Sequence, residues 1–438
     1  METKLIKALL SRVIPRKNRM DILADANVSS GLIYATSTDE WILIDSGVDV
    51  SGRMDVALFK KTLSIEQSVS GDTCPDMPGL PEVLNEVLRF DISIEPFQEP
   101  LSKFVNYTCK VPVLCDRVNR RETLEGVYFD KTADCLAATD GYVLLKEKRA
   151  GIDAEFILPS FALGTIDLLP GKQEASLFTP LTDEEVGSNK RLVENGGEPD
   201  KSPTHLRIRG EGYTYWTKLI RGPYPQYPKA IPSLDSCTPV FLPRETAQQL
   251  LAGLGALTPY VNPKTHLVIL EGRELVAFSR DTQRHVRIRF DYPIMPTTVK
   301  GWGTKIDDMT GKAEMVEIPL AMPRIGFDLL KLQMLLKEAL TEPGDVTIQY
   351  STHIGATAIY GLNKTLLVMP LRLLEPDKAE GENPYLYEPT YLDAPTAAPA
   401  PKPKAKKLDK RVEGLVMTLQ EKYGPAELVK RLNNLELL

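Results

Sequence analysis

The sequence predicts an α+β fold in which a unit of strand, helix and antiparallel hairpin is used several times. Three observations predict it. One phrase recurs along the chain, as Leu32-Ile33-Tyr34-Ala35-Thr36-Ser37-Thr38-Asp39, Leu136-Ala137-Ala138-Thr139-Asp140-Gly141 and Leu275-Val276-Ala277-Phe278-Ser279-Arg280-Asp281. Each copy leads into a second apolar run: Trp41-Ile42-Leu43-Ile44, Tyr142-Val143-Leu144-Leu145 and Val286-Arg287-Ile288. Strand, Asp-anchored tight turn, strand is a hairpin, and self-similarity at long spacing marks a repeated unit. Second, stretches with helical apolar spacing alternate with the hairpins. Third, Leu158-Pro159 and Leu242-Pro243 each join a strand to a helix with proline at a first-turn position, where its missing N–H costs nothing. Antiparallel sheet on one side and amphipathic helices on the other is the expected layering.

The elements follow in order. Leu5, Ile6, Leu9, Leu10, Val13 and Ile14 share one face of a helix over Lys4–Ile14, with Lys4, Lys7, Ser11 and Arg12 on the other. After the Asp39 hairpin, Met54-Asp55-Val56 feeds a helix over 57–63. A second round reads as a strand over 89–94, a helix over 100–110, the strand 126–129, the Asp140 hairpin, the strand 155–158 and a helix from Pro159 to about Leu169. A third starts with the strand 239–242 and a helix over 244–254. Its later half comprises a strand at 315–319, a helix over 326–340 and strands at 346–350, 356–360 and 366–369. Thr182–Pro203, rich in Glu, Gly, Asn and Lys, reads as a solvated insertion. Ala394–Lys407 is a stiff Pro/Ala/Lys tract leading to two short amphipathic stretches separated by Gly424-Pro425.

Composition bounds the function. The 438 residues, 42% apolar and 26% charged, suit two to four domains with proper cores. No apolar run approaches the ~20 residues that cross a bilayer. Met1–Arg19 is basic and apolar, but its cations interrupt the apolar positions and no cleavage site follows, so it reads as a folded helix and not a targeting peptide. The five cysteines show no C-x-x-C spacing and read as reduced and structural. A net charge of −6 repels nucleic acid overall, so DNA contact requires local segregation of Lys and Arg. There is no P-loop, no Gly-rich dinucleotide turn and no H-E-x-x-H, and the four histidines lack ligand spacing. No cofactor, metal or catalytic activity is expected.

Three segments then carry a resemblance. They are Leu124-Glu125-Gly126-Val127 followed by Ala138-Thr139-Asp140-Gly141, then Thr217–Tyr227 closing at Ile231-Pro232, then Val368-Met369-Pro370-Leu371-Arg372-Leu373. In this order they resemble the bacterial-type (β) DNA polymerase sliding clamp, in a diverged and phage-like form, over Lys4 to Leu373. The resemblance implies a DNA-clamp fold of three domains, at 1–88 (shortened), 89–233 (with the insertion 182–203) and 234–375. A linker over 376–410 and a helical tail over 411–438 lie beyond it. It implies sheets outside and paired helices inside a homo-oligomeric ring of two chains. The ring would encircle double-stranded DNA without reading sequence and would tether a polymerase and a clamp loader through short peptide motifs, away from any membrane. Its place is the bacterial cytoplasm or the infected host cell. Loading would need an external ATP-driven loader.

Lysines and arginines on helix faces are the candidate phosphate contacts: Lys4, Lys7, Arg12, Lys17, Lys103, Lys110, Arg120, Arg121, Lys331 and Lys337. Each also reads as part of a solvated helix face. The family's partner-peptide cleft, between the second and third domains, maps onto Leu124, Thr139, Gly141, Tyr142, Val143, Leu144, Pro225, Ala230, Met369, Pro370, Leu371 and Arg372. Tyr142 and Val143 replace the family's usual His-Arg, which makes the cleft more apolar. For Met369 and Leu371, core packing of a terminal strand is the alternative.

Two departures bear on function. Between Leu63 and Met77-Pro78-Gly79-Leu80-Pro81, which resembles the family's domain junction, there is room for one strand at most. The hairpin that normally supplies the edge toward a partner subunit is therefore absent, and the segment around Pro259-Tyr260-Val261 is expected on the other side of that joint. The tail is the second departure: it is expected to recruit a partner, or its last residues, Leu432–Leu438, to occupy the cleft, with an ordinary amphipathic helix as the favoured alternative to that occupancy. The alternative function is a clamp-fold scaffold for transcription or repair that never closes around DNA.

Overall fold

The computed structural model describes residues 1–14, 25–62, 64–71, 86–109, 122–181, 183–196, 202–279, 284–306, 313–322, 324–352, 355–373 and 390–392. A first unit holds α1 (Thr3–Val13), β1 (Ala26–Ser29), β2 (Leu32–Thr36), β3 (Glu40–Asp45), β4 (Gly52–Met54), α2 (Val56–Lys61) and β5 (Val69–Ser70). A second runs through β6 (Glu86–Ile92), a 3₁₀ segment at Ser102–Asn106, β7 (Gly126–Asp130), β8 (Cys135–Thr139), β9 (Val143–Lys148), β10 (Phe156–Pro159) and α3 (Ser160–Ile166). It closes with β11 (Gln173–Leu181), α4 (Asp183–Glu194), β12 (His205–Gly210) and β13 (Tyr213–Lys218). The third has β14 (Thr238–Leu242), α5 (Arg244–Leu257), β15 (Leu267–Glu271), β16 (Glu274–Ser279) and β17 (Arg284–Arg289), then β18 (Thr298–Ile306) and β19 (Ala313–Ala321). It ends in β20 (Ile325–Asp328), α6 (Leu329–Ala339), β21 (Val346–Tyr350), β22 (Thr357–Tyr360) and β23 (Lys364–Val368), and β24 (Thr390–Leu392) follows.

The sheets run across the units instead of ending at them. One has the order β5-β4-β1-β2-β3-β13-β12-β11-β6, a second β10-β7-β8-β9-β23-β22-β21-β14, and a third β20-β15-β16-β17-β24. The first joint pairs β3 with β13 antiparallel, with Trp41 opposite Trp216. The second pairs β9 with β23, with Val143 opposite Val368 and Leu144 opposite Leu367. Apart from the β18–β19 hairpin, the second and third units share one strand order. Even their closing bridges match: Ile157 with Ile220 on β10, and Gly326 with Leu371 on β20.

Helices pack in pairs against the inner sheet faces: α1 with α2, α3 with the Ser102–Asn106 segment, and α5 with α6. On α1, Ile6, Leu9, Leu10 and Val13 are fully buried. An 11-residue helix is marginal alone, and burial worth roughly 1.5–3 kcal/mol per large apolar side chain is what holds it. The strands alternate as a two-sided sheet requires. Leu136 and Ala138 of β8 face the main core, while Cys135 and Ala137 face a smaller cluster on the other side.

The Asp-anchored turn holds at Asp140 but not at Asp39, and a threonine anchors the turn in addition. In both described copies a threonine clamps it: Thr36 Oγ1 donates to the Glu40 carbonyl (2.8 Å) and Thr139 Oγ1 to the Val143 carbonyl (2.5 Å). Each hydroxyl also accepts the N–H two residues on, from Thr38 and Gly141, whose φ values are +78° and +90°. Asp140 adds bonds from the N–H groups of Tyr142 and Val143 (both 2.8 Å), whereas Asp39 instead pairs with Lys218. Asp281 lies outside the described residues.

Other expectations are corrected. Of the helix expected over 100–110, the described residues form only the 3₁₀ segment Ser102–Asn106. Asp167 accepts the N–H groups of Leu101 and Ser102 (2.7 and 2.8 Å), and the Arg149 guanidinium donates to the carbonyls of Pro96, Glu99 and Pro100. The solvated insertion contains helix α4, most of whose described residues are exposed. The strand at 315–319 belongs to β19, which pairs only with β18 and stands outside the repeat. The helix read from Gly326 starts at Leu329, since 325–328 form β20 and Asp328 caps the helix by accepting from Leu330 and Lys331 N–H. The segment Thr258–Tyr260 packs on β16 and β17, and Val261 after it lies in the core.

A buried acid ties the first joint together. Glu40 on β3 accepts hydrogen bonds from the Tyr215 hydroxyl of β13 (2.6 Å) and the Thr165 hydroxyl of α3 (3.1 Å). Burial pushes its carboxyl up to about 7, against those two hydrogen bonds, which lower it. A raised folded-state value means its stabilisation is complete below the ordinary 4.5 and is lost as pH climbs through about 7. Glu40→Gln should remove that dependence. The stability difference between parent and variant, followed by thermal melts from acid to neutral pH, should shift by roughly 3 kcal/mol against the parent.

Candidate functional site

The three helix pairs concentrate positive charge. Lys4, Lys7 and Arg12 lie on α1, Lys60 and Lys61 on α2, Lys103 on the 3₁₀ segment, Arg244 on α5, and Lys331 and Lys337 on α6. Against these nine cations stand two carboxylates, Glu245 and Glu338, in a chain whose net charge is −6.

The structure divides the expected cations. Lys4, Arg12 and Lys337 are exposed. Arg12 lies against α3, where a methyl group at Gly164 would meet its guanidinium at 3.1 Å. Lys7 is turned inward: its ammonium donates to the Thr62 carbonyl and sits 5.1 Å from the Phe59 ring centre. Lys103 is paired at 2.5 Å with the buried carboxylate of Glu147, which Arg149 also holds at 3.0 Å, so its charge is neutralised within the unit. Lys331 is likewise taken, by Asp140 at 2.8 Å. Lys17, Lys110, Arg120 and Arg121 lie outside the described residues, as do the linker 376–410 except for β24 and the tail 411–438. Lys60 and Lys61, both exposed, were missed. The signal was present, because Asp55 caps α2 by accepting the Leu58 N–H and so sets both lysines in its last turn.

The second joint gathers part of the expected cleft. Met369 N–H donates to the Tyr142 carbonyl and Leu371 N–H to the Gly326 carbonyl (both 2.8 Å), so 369–371 spans from the β9 hairpin to β20. Tyr142 (61% exposed) and Met369 (40%) are the open apolar groups on this strip. Gly141 and Arg372 are exposed beside them, and Thr139, Pro370 and Leu371 are half-buried. Lys331 floors the strip, with its ammonium 4.3 Å from the Tyr142 ring centre while it pairs with Asp140. Lys331 thus lies beside Tyr142 and Asp140 and not among the exposed helix cations.

The remaining positions sit apart from that strip. Val143, Leu144 and Leu124 are buried at 2–4% exposure and serve as core packing. Leu144 packs beneath Tyr224, Tyr227 and Ile231, on the loop that carries Pro225 and exposed Ala230. Pro225 borders a depression of ≈ 290 Å³ on the outer sheet face. Its floor is rigid: Tyr128 stacks on Tyr224 at 4.9 Å, and the Tyr227 hydroxyl, donating to Asp130 (2.7 Å), lies 3.1 Å from Cys135 Sγ. Among the described residues no group of His, Cys, Asp and Glu is arranged to hold a metal, and no helix is long and apolar enough to cross a membrane.

This architecture is the sliding-clamp fold. DNA polymerase III subunit beta from Pseudomonas aeruginosa matches with a TM-score of 0.56 at 17% identity, over 85% of this chain and 99% of that one. The DNA polymerase III beta chain from Streptococcus pneumoniae TIGR4 matches with a TM-score of 0.56 at 15% identity, over 85% and 98%. The DNA polymerase sliding clamp from Bacillus subtilis gives 0.53 at 13%, over 85% and 98%. No protein-family model and no curated protein matches the sequence.

The Lys331–Asp140 pair should be worth more to the turn than to the lysine. Lys331→Met should cost ~1 kcal/mol, as a partly exposed ion pair does. Asp140→Ala should cost about 2 kcal/mol, because two backbone N–H groups also lose their acceptor. Urea unfolding midpoints of the two variants give the order.

Proposed function

We propose that the chain is a DNA polymerase processivity factor, a sliding clamp that encircles duplex DNA and has no chemistry of its own. The observation that carries this reading is the segregation of nine cations against two carboxylates on the three helix pairs of an acidic chain with this fold. Lys4, Lys60, Lys61 and Lys337, all exposed, are the leading phosphate contacts, and Arg12 supports them from the α1–α3 contact. Contacts of this kind release counterions and read no bases, so the clamp moves along the duplex whatever its sequence.

Partners dock at the second joint. Tyr142, Met369, Pro370 and Leu371 offer apolar surface to the anchor residues of a short peptide from a polymerase or clamp loader, with Lys331 and Arg372 to orient it. The ring is a homo-oligomer, a dimer in the simplest arrangement, acting in a bacterial cytoplasm or in a phage-infected cell. One observation favours the second reading, a scaffold that does not close around DNA. Among its described residues, the first unit has only β4, α2 and β5 where the other units have a full second half.

Two measurements test the proposal. Lys60→Ala/Lys61→Ala should make the dependence of log K on log salt shallower by about 1.8, at ~0.9 per phosphate contact. Loaded protein should stay on nicked circular DNA through a salt wash and leave when the circle is cut. Equal loss from circle and linear DNA contradicts encirclement and favours the scaffold.

A further inference from the structure

The strand order follows a rule that the third unit breaks. In the first unit, β3 ends the early hairpin and gives its outer edge to β13, the closing strand of the second unit. In the second, β9 holds the same place and gives its edge to β23, the closing strand of the third. The equivalent strand of the third unit is β17, and the described residues hold no later unit to cover its edge. Its edge is taken instead by β24, with Val286 opposite Thr390, Arg287 opposite Tyr391 and Ile288 opposite Leu392. This pairing is parallel, whereas every other strand pairing among the described residues is antiparallel. Leu392 also packs against the main core.

We infer that Thr390–Leu392 is a strand cap, which holds the β17 edge against a second copy of this chain until it is released. An open edge presents unpaired N–H and C=O groups and templates the addition of another strand. A second copy would bring β5, which ends the nine-stranded sheet of the first unit. A three-residue parallel strand is weak by itself, but it is tethered: sixteen residues, 374–389, separate it from Leu373. Such a tether gives an effective concentration near the millimolar range, so at micromolar protein the cap outcompetes an equally strong intermolecular strand by about 10³. The inference stands on strand order and not on the DNA-binding reading; the ring proposed above would form only from chains in which the cap is released.

The test uses the full chain with Tyr391→Pro, which cannot donate to the pairing and starts no core strand, and separately with Leu392→Asp, which removes the apolar anchor. Sedimentation at micromolar concentration should give 48.7 kDa for the parent and twice that mass for both variants, with amide exchange across Val286–Ile288 at least tenfold faster in dilute variant than in dilute parent. A parent already at twice the mass, variants that remain monomeric, or unchanged exchange in both variants would each overturn the cap. The masses are read without DNA, so failure here is distinct from failure of the retention assay.

Discussion

Edge-to-edge pairing between units is the constraint on which the rest of the structure depends. Because β3 pairs with β13 and β9 with β23, the sheets continue through the joints and the units cannot turn freely about a linker. A slip of one residue at a strand joint would move every side chain to the other face, so a joint with both faces packed resists it. The first joint resists slippage on both faces. Ile42, Ile44 and Tyr215 enter the core on one side, while Trp41, Trp216 and Phe178 form a second cluster on the other. His205 stacks on that cluster, and burial, with help from Lys218 and Arg221, lowers its pKa to about 4, so it packs there as a neutral ring at physiological pH.

The same joints create the features that read as functional. The Met369–Leu371 strip exists because β23, having paired with β9, must run on to bridge β20. The helix pairs face away from the clusters on the other side of the sheets, so their charge is separated from the acidic remainder of the chain. Separation by layer is what would let an acidic chain hold a polyanion in the proposed function, since screening over about 10 Å makes local charge outweigh distant charge.

Much of this was legible in the sequence because periodicity is local. The α1 stripe, the paired apolar runs of the hairpins and the proline-led starts of α3 and α5 all lie within windows that repeat or alternate on their own terms. What was not legible depends on partners far along the chain. Asp167 accepts the leading N–H groups of a segment some 65 residues earlier, and Asp140 draws Lys331 beside Tyr142 from 191 residues away. Nothing in the spacing near Lys103 announces Glu147. The turn threonines were visible in the repeated phrase, but Asp is the commoner turn former and drew the assignment. The cap by Thr390–Leu392 had no signal, because three residues carry too little pattern to mark a strand.

The central claim is that exposed helix cations, and not the internally paired ones, meet the DNA backbone. Lysine acetylation mapped with and without saturating duplex tests it most directly. The account predicts protection of Lys4, Lys60, Lys61 and Lys337 by DNA, with Lys103 and Lys331 unchanged. Protection confined to lysines outside the helix pairs, or none at all on a protein that binds the duplex, would contradict it.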